Sequence, residues 1–487
     1  MQIKINDLMQ QSGVKFGTSG ARGLAVEMTD QVCYSYTKGF LQYLEGTGEL
    51  DKNGEEVAIA GDLRPSTDRI MGAVAKAASD MGYRPVNCGH IPSPAVALYG
   101  LNNLCPSIMV TGSHIPDDRN GIKFNTCSGE ILKEDEEQIR EQVIEVDESI
   151  FGSEGFDLPE ENIDARIEYV NRYVHIFPKG CLTGKRVGIY QHSAVGRDLL
   201  IEIFCGLGAD VTPLGFSGTF IPVDTEAIRQ ADVLLAREWS EENHFDVIIS
   251  TDGDSDRPLI SDENGVWLRG DVAGILAAKY LGADSVSTPV SCNTALEKCG
   301  WFSDVRRTKI GSPFVVASMI ESSFSGRKGV VGYEANGGFL TNSAFPVNGK
   351  ELRALPTRDA VLPALCIILL SIKERKPISA LLTDLPQRFT ASDRIQDFSI
   401  EASRKILERF DDISAIESAF GETFGKVKNI DCTDGLRVTF ESEEVLHMRP
   451  SGNAPEFRCY NEAGSEERVQ EMKKISMDIL LKLKNNV

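Results

Sequence analysis

An apolar run, a helix-length stretch, a glycine and a second apolar run follow one another at least twice in this chain, and that order restricts its fold more than any other feature. Val57-Ala58-Ile59-Ala60 reads as a buried strand, Gly61-Asp62 follows, and the stretch through Ala73 to Met81 reads as a helix. Gly82 stops that helix and a second strand starts near Val86. The grammar returns at Val187-Gly188-Ile189-Tyr190, with a helix around Leu199 to Leu207, then Gly208 and Asp210-Val211; a fainter copy starts at Val286. Such units bury their apolar faces by layering helices on a sheet, so the expected class is α/β with repeated domains.

At 487 residues the chain is long for one core, and about three to four domains are expected. Glu134 to Ile150 reads as an acidic amphipathic helix, and Phe151-Gly152-Ser153-Glu154-Gly155 as a linker. Ile163, Ile167, Val170, Val174 and Phe177 recur at helical spacing over 162–177. Boundaries are placed near 160, near 269 after the hairpin-like Leu259-Ile260 and Val266-Trp267-Leu268, and near 390. The resulting parts are 1–160, 161–268, 269–390 and 391–487. The last contains a helix at 399–410, a strand at 435–440 and a terminal helix from Glu466.

A net charge of -21 argues against nucleic acid, whose phosphates require clustered Lys and Arg, and means that an anionic ligand must be met by local Arg and Lys inside loops. The 11 cysteines are scattered, odd in number and never spaced Cys-x-x-Cys, so neither a zinc site nor a disulfide framework is suggested. Met1 to Asp7 lacks an apolar signal region, which points to the cytoplasm. The most apolar run, 360–372, is short for a membrane span and contains Pro363, so it is expected to be a buried helix. Oligomeric state, monomer or dimer, is open.

Chemistry-bearing residues lie where strands end. Thr111-Gly112-Ser113-His114-Ile115-Pro116-Asp117-Asp118-Arg119-Asn120-Gly121-Ile122-Lys123-Phe124 follows the apolar Ile108-Met109-Val110, so Ser113 sits at a strand exit and is the candidate nucleophile. Pro116 cannot continue a ladder and Asn120-Gly121 is a turn signal, so the segment is expected to leave the sheet, turn, and bring Lys123 back towards Ser113. From residue types alone, a turn-capping Ser113 with a surface His114 fits as well.

Phe245 to Thr251 reads as another buried strand, delivering Asp252-Gly253-Asp254-Ser255-Asp256-Arg257. Carboxylates at alternate positions can face one concavity and offer hard oxygen ligands to a divalent cation. An EF-hand is rejected because its required glycine is here Arg257 and the preceding segment is strand rather than helix. A haloacid-dehalogenase-like Asp-x-Asp-x-(Thr/Val) would make Asp252 a phosphorylated nucleophile, and Asp256 at the Thr/Val position counts against it.

Four loops in a set order resemble those of the α-D-phosphohexomutases, most like the bacterial phosphomannomutase/phosphoglucomutase members. Phe16-Gly17-Thr18-Ser19-Gly20-Ala21-Arg22-Gly23, read here as a glycine-rich loop, is similar to the family's Phe-Gly-Thr-Ser-Gly-x-Arg-Gly. The segment from Thr111 to Lys123 is similar to its active-serine loop, Thr-(Ala/Gly)-Ser-His-Asn-Pro continuing to Asn-Gly-x-Lys, with Ile115 in place of Asn. Asp252 to Arg257 matches its Asp-Gly-Asp-x-Asp-Arg metal loop. Arg449-Pro450-Ser451-Gly452-Asn453-Ala454-Pro455-Glu456-Phe457-Arg458 resembles its Arg-Pro-Ser-Gly-(Thr/Asn)-x-Pro phosphate loop. Two further segments are similar to the family's third domain: Arg307-Thr308-Lys309-Ile310-Gly311 to a Lys-x-Gly segment, and Gly332-Tyr333-Glu334-Ala335-Asn336-Gly337-Gly338 to the Gly-Glu-x-Ser-Gly sugar loop. In the sugar loop Asn336 replaces Ser, and Gly338 stands where several relatives have His.

The resemblance implies three related α/β domains with mixed sheets around a central cleft, plus a smaller C-terminal α+β domain. It implies a mutase that interconverts hexose 6-phosphate and hexose 1-phosphate, mannose foremost, through a phosphoserine at Ser113 and a hexose 1,6-bisphosphate. Mg²⁺ would be held by Asp252, Asp254, Asp256 and the phosphorylated Ser113. Arg22, His114, Lys123 and Arg257 would lie at the reacting phosphate, Glu334 and Asn336 on the sugar hydroxyls, Lys309 on the ligand, and Arg449, Ser451, Gly452, Asn453 and Arg458 on the phosphate that is not reacting. Lys123 is either the base for the sugar hydroxyl's proton or an electrostatic clamp. Phosphoglucomutase and phosphoglucosamine mutase are alternatives within the family. Outside it stand a magnesium-dependent phosphatase using Asp252 and a non-catalytic sugar-phosphate-binding protein.

Overall fold

The structure, a computed structural model, describes every residue except 18–19, 52–54, 153–154, 411, 452–455 and 485–487. It divides into two compact units, one of residues 1–286 and 312–381, the other of residues 287–311 and 382–487. The class is α/β with mixed sheets.

The first unit opens with a mixed sheet in the order Lys15–Phe16, Gly20–Leu24, Arg119–Thr126, Ser107–Val110, Glu56–Gly61, Arg84–His90. Glu56–Gly61 runs parallel to both neighbours, whereas Arg119–Thr126 is antiparallel to both of its own. Strand Ser107–Val110 is buried at every position, as an apolar run covered on both faces must be. Helix Thr67–Asp80 ends just before Gly82, whose φ of 92° lies in the left-handed region that stops helices there.

The second sheet repeats the theme in the order Asp210–Phe216, Arg186–His192, Val247–Thr251, Pro258–Ile260, parallel except for the last pair. Further on, Val330–Tyr333, Phe339–Thr341 and Leu355–Asp359 form an antiparallel run. The apolar stretch after it is helix Val361–Glu374, buried along nearly its whole length. Pro363 is tolerated because it lies in the first turn, where backbone N–H groups have no intrahelical partner to lose. Among the described residues no helix is long and apolar enough to cross a membrane.

The second unit is built on an antiparallel sheet ordered Phe389–Ile395, Phe457–Ala463, Val445–Pro450, Leu436–Phe440, Val427–Asp431, with helix Glu466–Lys484 packed on it. Its core is aromatic-rich: Phe420, Phe440 and Phe457 are fully buried.

Three local expectations are corrected. The helix expected over 134–150 stops at Glu141; Val143–Glu145 instead pairs antiparallel with Gln2–Lys4, which lets Ile144 bury completely. Local charge pattern gave no sign of that long-range partner. Asn120-Gly121 is not a turn but lies inside strand Arg119–Thr126. The reversal comes earlier, where Arg119 N donates to Pro116 O. Glycine is needed at 121 because a Cβ there would lie 2.7 Å from Thr111 O and 2.9 Å from Arg22 Cγ. Lastly, Arg22 sits not in a loop but in strand Gly20–Leu24, opposite Gly121.

Candidate active site

Within the first unit, the exits of strands Ser107–Val110 and Val247–Thr251 meet. Ser113 is completely buried, with its backbone at φ 56°, a left-handed conformation uncommon for a residue with a side chain. Its backbone is gripped on both sides: its N–H donates to Thr111 Oγ1 at 2.8 Å, and its carbonyl accepts from Arg64 at 2.9 Å. Arg64 and Thr111 are in turn held by Asp62, which Thr111 reaches at 2.7 Å. The hydroxyl is thereby aimed at the metal loop, where Ser113 Oγ donates to Asp252 Oδ2 at 2.5 Å.

That loop closes on itself, since Asp252 N donates to Arg257 O and Arg257 N to Asp252 Oδ1. Asp252, Asp254 and Asp256 are buried, and one oxygen from each lies within 4.8 Å of the others. Asp254 Oδ1 and Asp256 Oδ1 are buried without a hydrogen-bond partner. Three clustered carboxylates, two of them with a buried oxygen that accepts no hydrogen bond, fit a divalent cation. Burial, with Asp254 and Asp256 alongside, pushes the Asp252 carboxyl well above the usual carboxylate range. At Asp254 burial acts the same way but is outweighed by Lys123 and the Ser93 hydroxyl, so this carboxyl lies well below it. At Asp256 burial is outweighed chiefly by Arg358.

Lys123, expected near Ser113, has its Nζ 2.5 Å from Asp254 Oδ2 and 2.7 Å from Asp256 Oδ2 of the metal loop. Arg257 lies 3.5 Å from Asp256 and donates to His114 Nδ1 at 2.7 Å. Burial and that guanidinium push the His114 pKa down to about 3, so the ring is a neutral acceptor at physiological pH. Burial, then Arg257, lowers Arg22 to about 10, with Asp254 and Asp256 acting in the opposite direction. The carboxylates are therefore surrounded by guanidinium and ammonium groups, despite the acidic chain.

Close packing also sets a limit at Gly253, where a Cβ would lie 2.6 Å from Ser113 O and 3.0 Å from the Phe220 ring. Gly253→Ala should push the serine loop off the metal loop and lower kcat by about 100-fold, the scale of a misplacement near 1 Å. Steady-state kinetics beside a thermal melt will check this; an unchanged kcat would mean the two loops have slack.

Glu334 and Asn336 occupy the tight turn between Val330–Tyr333 and Phe339–Thr341, which Glu334 N closes on Gly338 O. Asn336 Oδ1 accepts from Gly338 N at 2.9 Å. Glu334 reaches the acid cluster through Arg358 NH1, 3.4 Å away.

Lys309, Arg449, Ser451 and Arg458 belong to the second unit. Arg449 stands opposite Arg458 in neighbouring strands, with Arg449 Nε 3.2 Å from Asp434 Oδ1. Asp434 Oδ2 also accepts from Ile310 N at 2.9 Å, so one carboxylate ties the backbone beside Lys309 to Arg449. Ser451 N donates to Glu456 O, and Arg458 lies 3.2 Å from Glu456. Gly452 and Asn453 lie outside the described residues.

Sequence reading missed Asp62, Arg64, Ser93 and Arg358. Asp62 and Arg64 had a visible signal, a carboxylate and a guanidinium directly after the apolar strand Glu56–Gly61. Ser93, which donates to Asp254 Oδ2 at 2.7 Å, had none.

The chain is similar to known proteins over most of its length. Family models described as phosphoglucomutase/phosphomannomutase, alpha/beta/alpha domains I and III, match residues 13–149 and 269–389. A phosphomannomutase of Salmonella muenchen is 44% identical over 462 residues, 95% of this chain and 94% of the relative. A phosphomannomutase of Sinorhizobium fredii is 40% identical, over 94% of this chain and 97% of its own length. Among solved structures, a phosphoglucomutase/phosphomannomutase family protein from Burkholderia thailandensis shares the fold at a TM-score of 0.73 and 19% identity, covering 96% of this chain and 97% of that one.

Proposed function

The chain belongs to the phosphoglucomutase/phosphomannomutase family and is a phosphohexomutase; on that premise we propose that Ser113 carries the phosphoryl group between the 1- and 6-positions of a hexose, mannose foremost. The observation that carries this reading is the hydrogen bond from Ser113 Oγ to Asp252, which sets the hydroxyl against three clustered carboxylates. Asp252, Asp254 and Asp256 would hold Mg²⁺, which when bound neutralises charge on the phosphoryl group.

In this reading the free hydroxyl of mannose 1-phosphate or mannose 6-phosphate attacks phosphorus on Ser113. The bond to Ser113 Oγ breaks, a bond to the sugar oxygen forms, and the sugar hydroxyl's proton ends on the departing Ser113 Oγ, the hydroxyl that then donates to Asp252. The hexose 1,6-bisphosphate then turns over and returns its other phosphate to Ser113. Arg22, Arg257 and Lys123 would stabilise the charge on the group in transfer, with His114 fixing Arg257 by accepting its N–H. Lys123's ion pairs with two carboxylates favour the clamp over the base. Glu334 and Asn336 would read sugar hydroxyls, Lys309 would reach the ligand, and Arg449, Ser451, Gly452, Asn453 and Arg458 would hold the distal phosphate.

The four-part division at 160, 268 and 390 belongs to this reading and is supported by the extent of the matched domains I and III. So does a cytoplasmic location, supported by cysteines that are scattered along the chain rather than spaced as a disulfide framework.

Glu334 and Asn336, which the resemblance places on O3 and O4, would leave C2 unread, so both mannose and glucose 1-phosphates should be turned over, with mannose preferred in kcat/KM. Glucosamine phosphate turned over fastest would overturn the mannose assignment. Arg449→Ala should raise KM by about tenfold or more, the worth of a charge-assisted contact to a non-reacting phosphate. An unchanged KM for both sugars would remove this loop from the site.

A further inference from the structure

Arg358 is only 1% exposed, and a buried guanidinium destabilises a fold unless it is paired. Its partners are the two loops that the chemistry must align. Nε lies 3.1 Å from Asp256 Oδ2, and NH1 lies 3.4 Å from Glu334 Oε2. NH2 is buried with no hydrogen-bond partner.

Its neighbours leave it little freedom. Thr357 Oγ1 donates to Glu130 Oε1 at 2.7 Å, and the other oxygen of Glu130 accepts from Ser312. Asp359 accepts from the Tyr169 and Tyr173 hydroxyls and, at 3.0 Å, from Val361 N. With both flanking side chains anchored, strand Leu355–Asp359 presents Arg358 in one orientation.

The sugar loop is shaped to admit it. A Cβ at Gly338 would lie 2.6 Å from Arg358 Cδ and 2.7 Å from Cγ, so the arginine stem passes only because residue 338 has no side chain. Gly338 has no positive φ requiring glycine; its smallness serves the close approach.

We propose that Arg358 is a positioning residue that ties Asp256 of the acid triad to Glu334 of the sugar loop, holding the sugar hydroxyls in register with Ser113, and that Gly338 exists to let it pass. This rests on the function proposed above. Arginine suits the task because its planar fork holds separate N–H groups in a fixed geometry, Nε towards Asp256 and NH1 towards Glu334.

The test is a double-mutant cycle on the full chain with Mg²⁺, hexose 1,6-bisphosphate and mannose 1-phosphate. Arg358→Met should lower kcat/KM by about tenfold or more alone, but by less than about threefold in a Glu334→Gln background, because residues acting as one unit are non-additive. Arg358→Lys should keep the Mg²⁺ half-saturation within about threefold while raising KM about tenfold, and Gly338→Ala should reproduce that KM rise with all charges present. Equal losses in both backgrounds overturn the proposal. So does a wild-type KM in folded Arg358→Lys or Gly338→Ala, which decide the matter should Arg358→Met not fold. Phosphate labelling of Ser113 in the wild type is followed in parallel: its absence would sink the Ser113 reading alone, while the cycle still reports on Arg358.

Discussion

Ser113→Ala is expected to lose mutase activity by a factor on the order of 10⁴ or more, the scale seen when a covalent nucleophile is removed. The fold should tolerate it. The groups that hold this loop act on the backbone of residue 113, through Thr111 Oγ1 and Arg64, and both bonds survive the change. The unusual φ of 56° is no harder for alanine than for serine. What disappears is the hydroxyl and its bond to Asp252. Binding of mannose 1-phosphate should stay within about threefold, because no contact proposed to hold the sugar or its distal phosphate is touched. A coupled assay and calorimetric titration separate the two quantities. Loss of binding together with activity would mean that Ser113 supports the site rather than reacting in it.

Asp252→Asn should also fail, but in a distinguishable way. Asparagine keeps an oxygen to accept from Ser113 and removes one of three negative charges offered to the metal. The Mg²⁺ concentration for half-maximal activity should rise by about tenfold or more, with activity partly recovered at high Mg²⁺. Ser113→Ala should show no such recovery. An unaltered Mg²⁺ dependence in Asp252→Asn would take that carboxylate out of the metal site.

The contrast between these two variants follows from features that were legible in the sequence. Runs such as Val247–Thr251 and Ser107–Val110 are buried at every position around the apolar stretches Val247-Ile248-Ile249 and Ile108-Met109-Val110, so their strand character and the loops they deliver could be read directly. The pairing that brings the loops together could not. Ser113 and Asp252 are 139 residues apart, and no local pattern reports that the two strand exits meet. Where local signals failed, long-range packing had overruled them. Asn120-Gly121 has the chemistry of a turn, but Gly121 is used for close approach to Thr111 and Arg22. Val143–Glu145 continued a helical charge pattern until a distant edge, Gln2–Lys4, offered it a ladder. Arg358 was invisible for the same reason: a lone charge in a short strand carries no mark of the two carboxylates it will meet.

The most direct measurement locates the phosphate itself. Purified protein treated with mannose 1,6-bisphosphate, digested and examined by peptide mass spectrometry, should carry one phosphate on the peptide containing Ser113, with higher occupancy than untreated protein and none in Ser113→Ala. Serine esters persist through such handling, whereas aspartyl phosphates hydrolyse. An unlabelled Ser113 peptide alongside a hydroxylamine-labile phosphate at Asp252, with Ser113→Ala fully active, would contradict the phosphoserine mechanism.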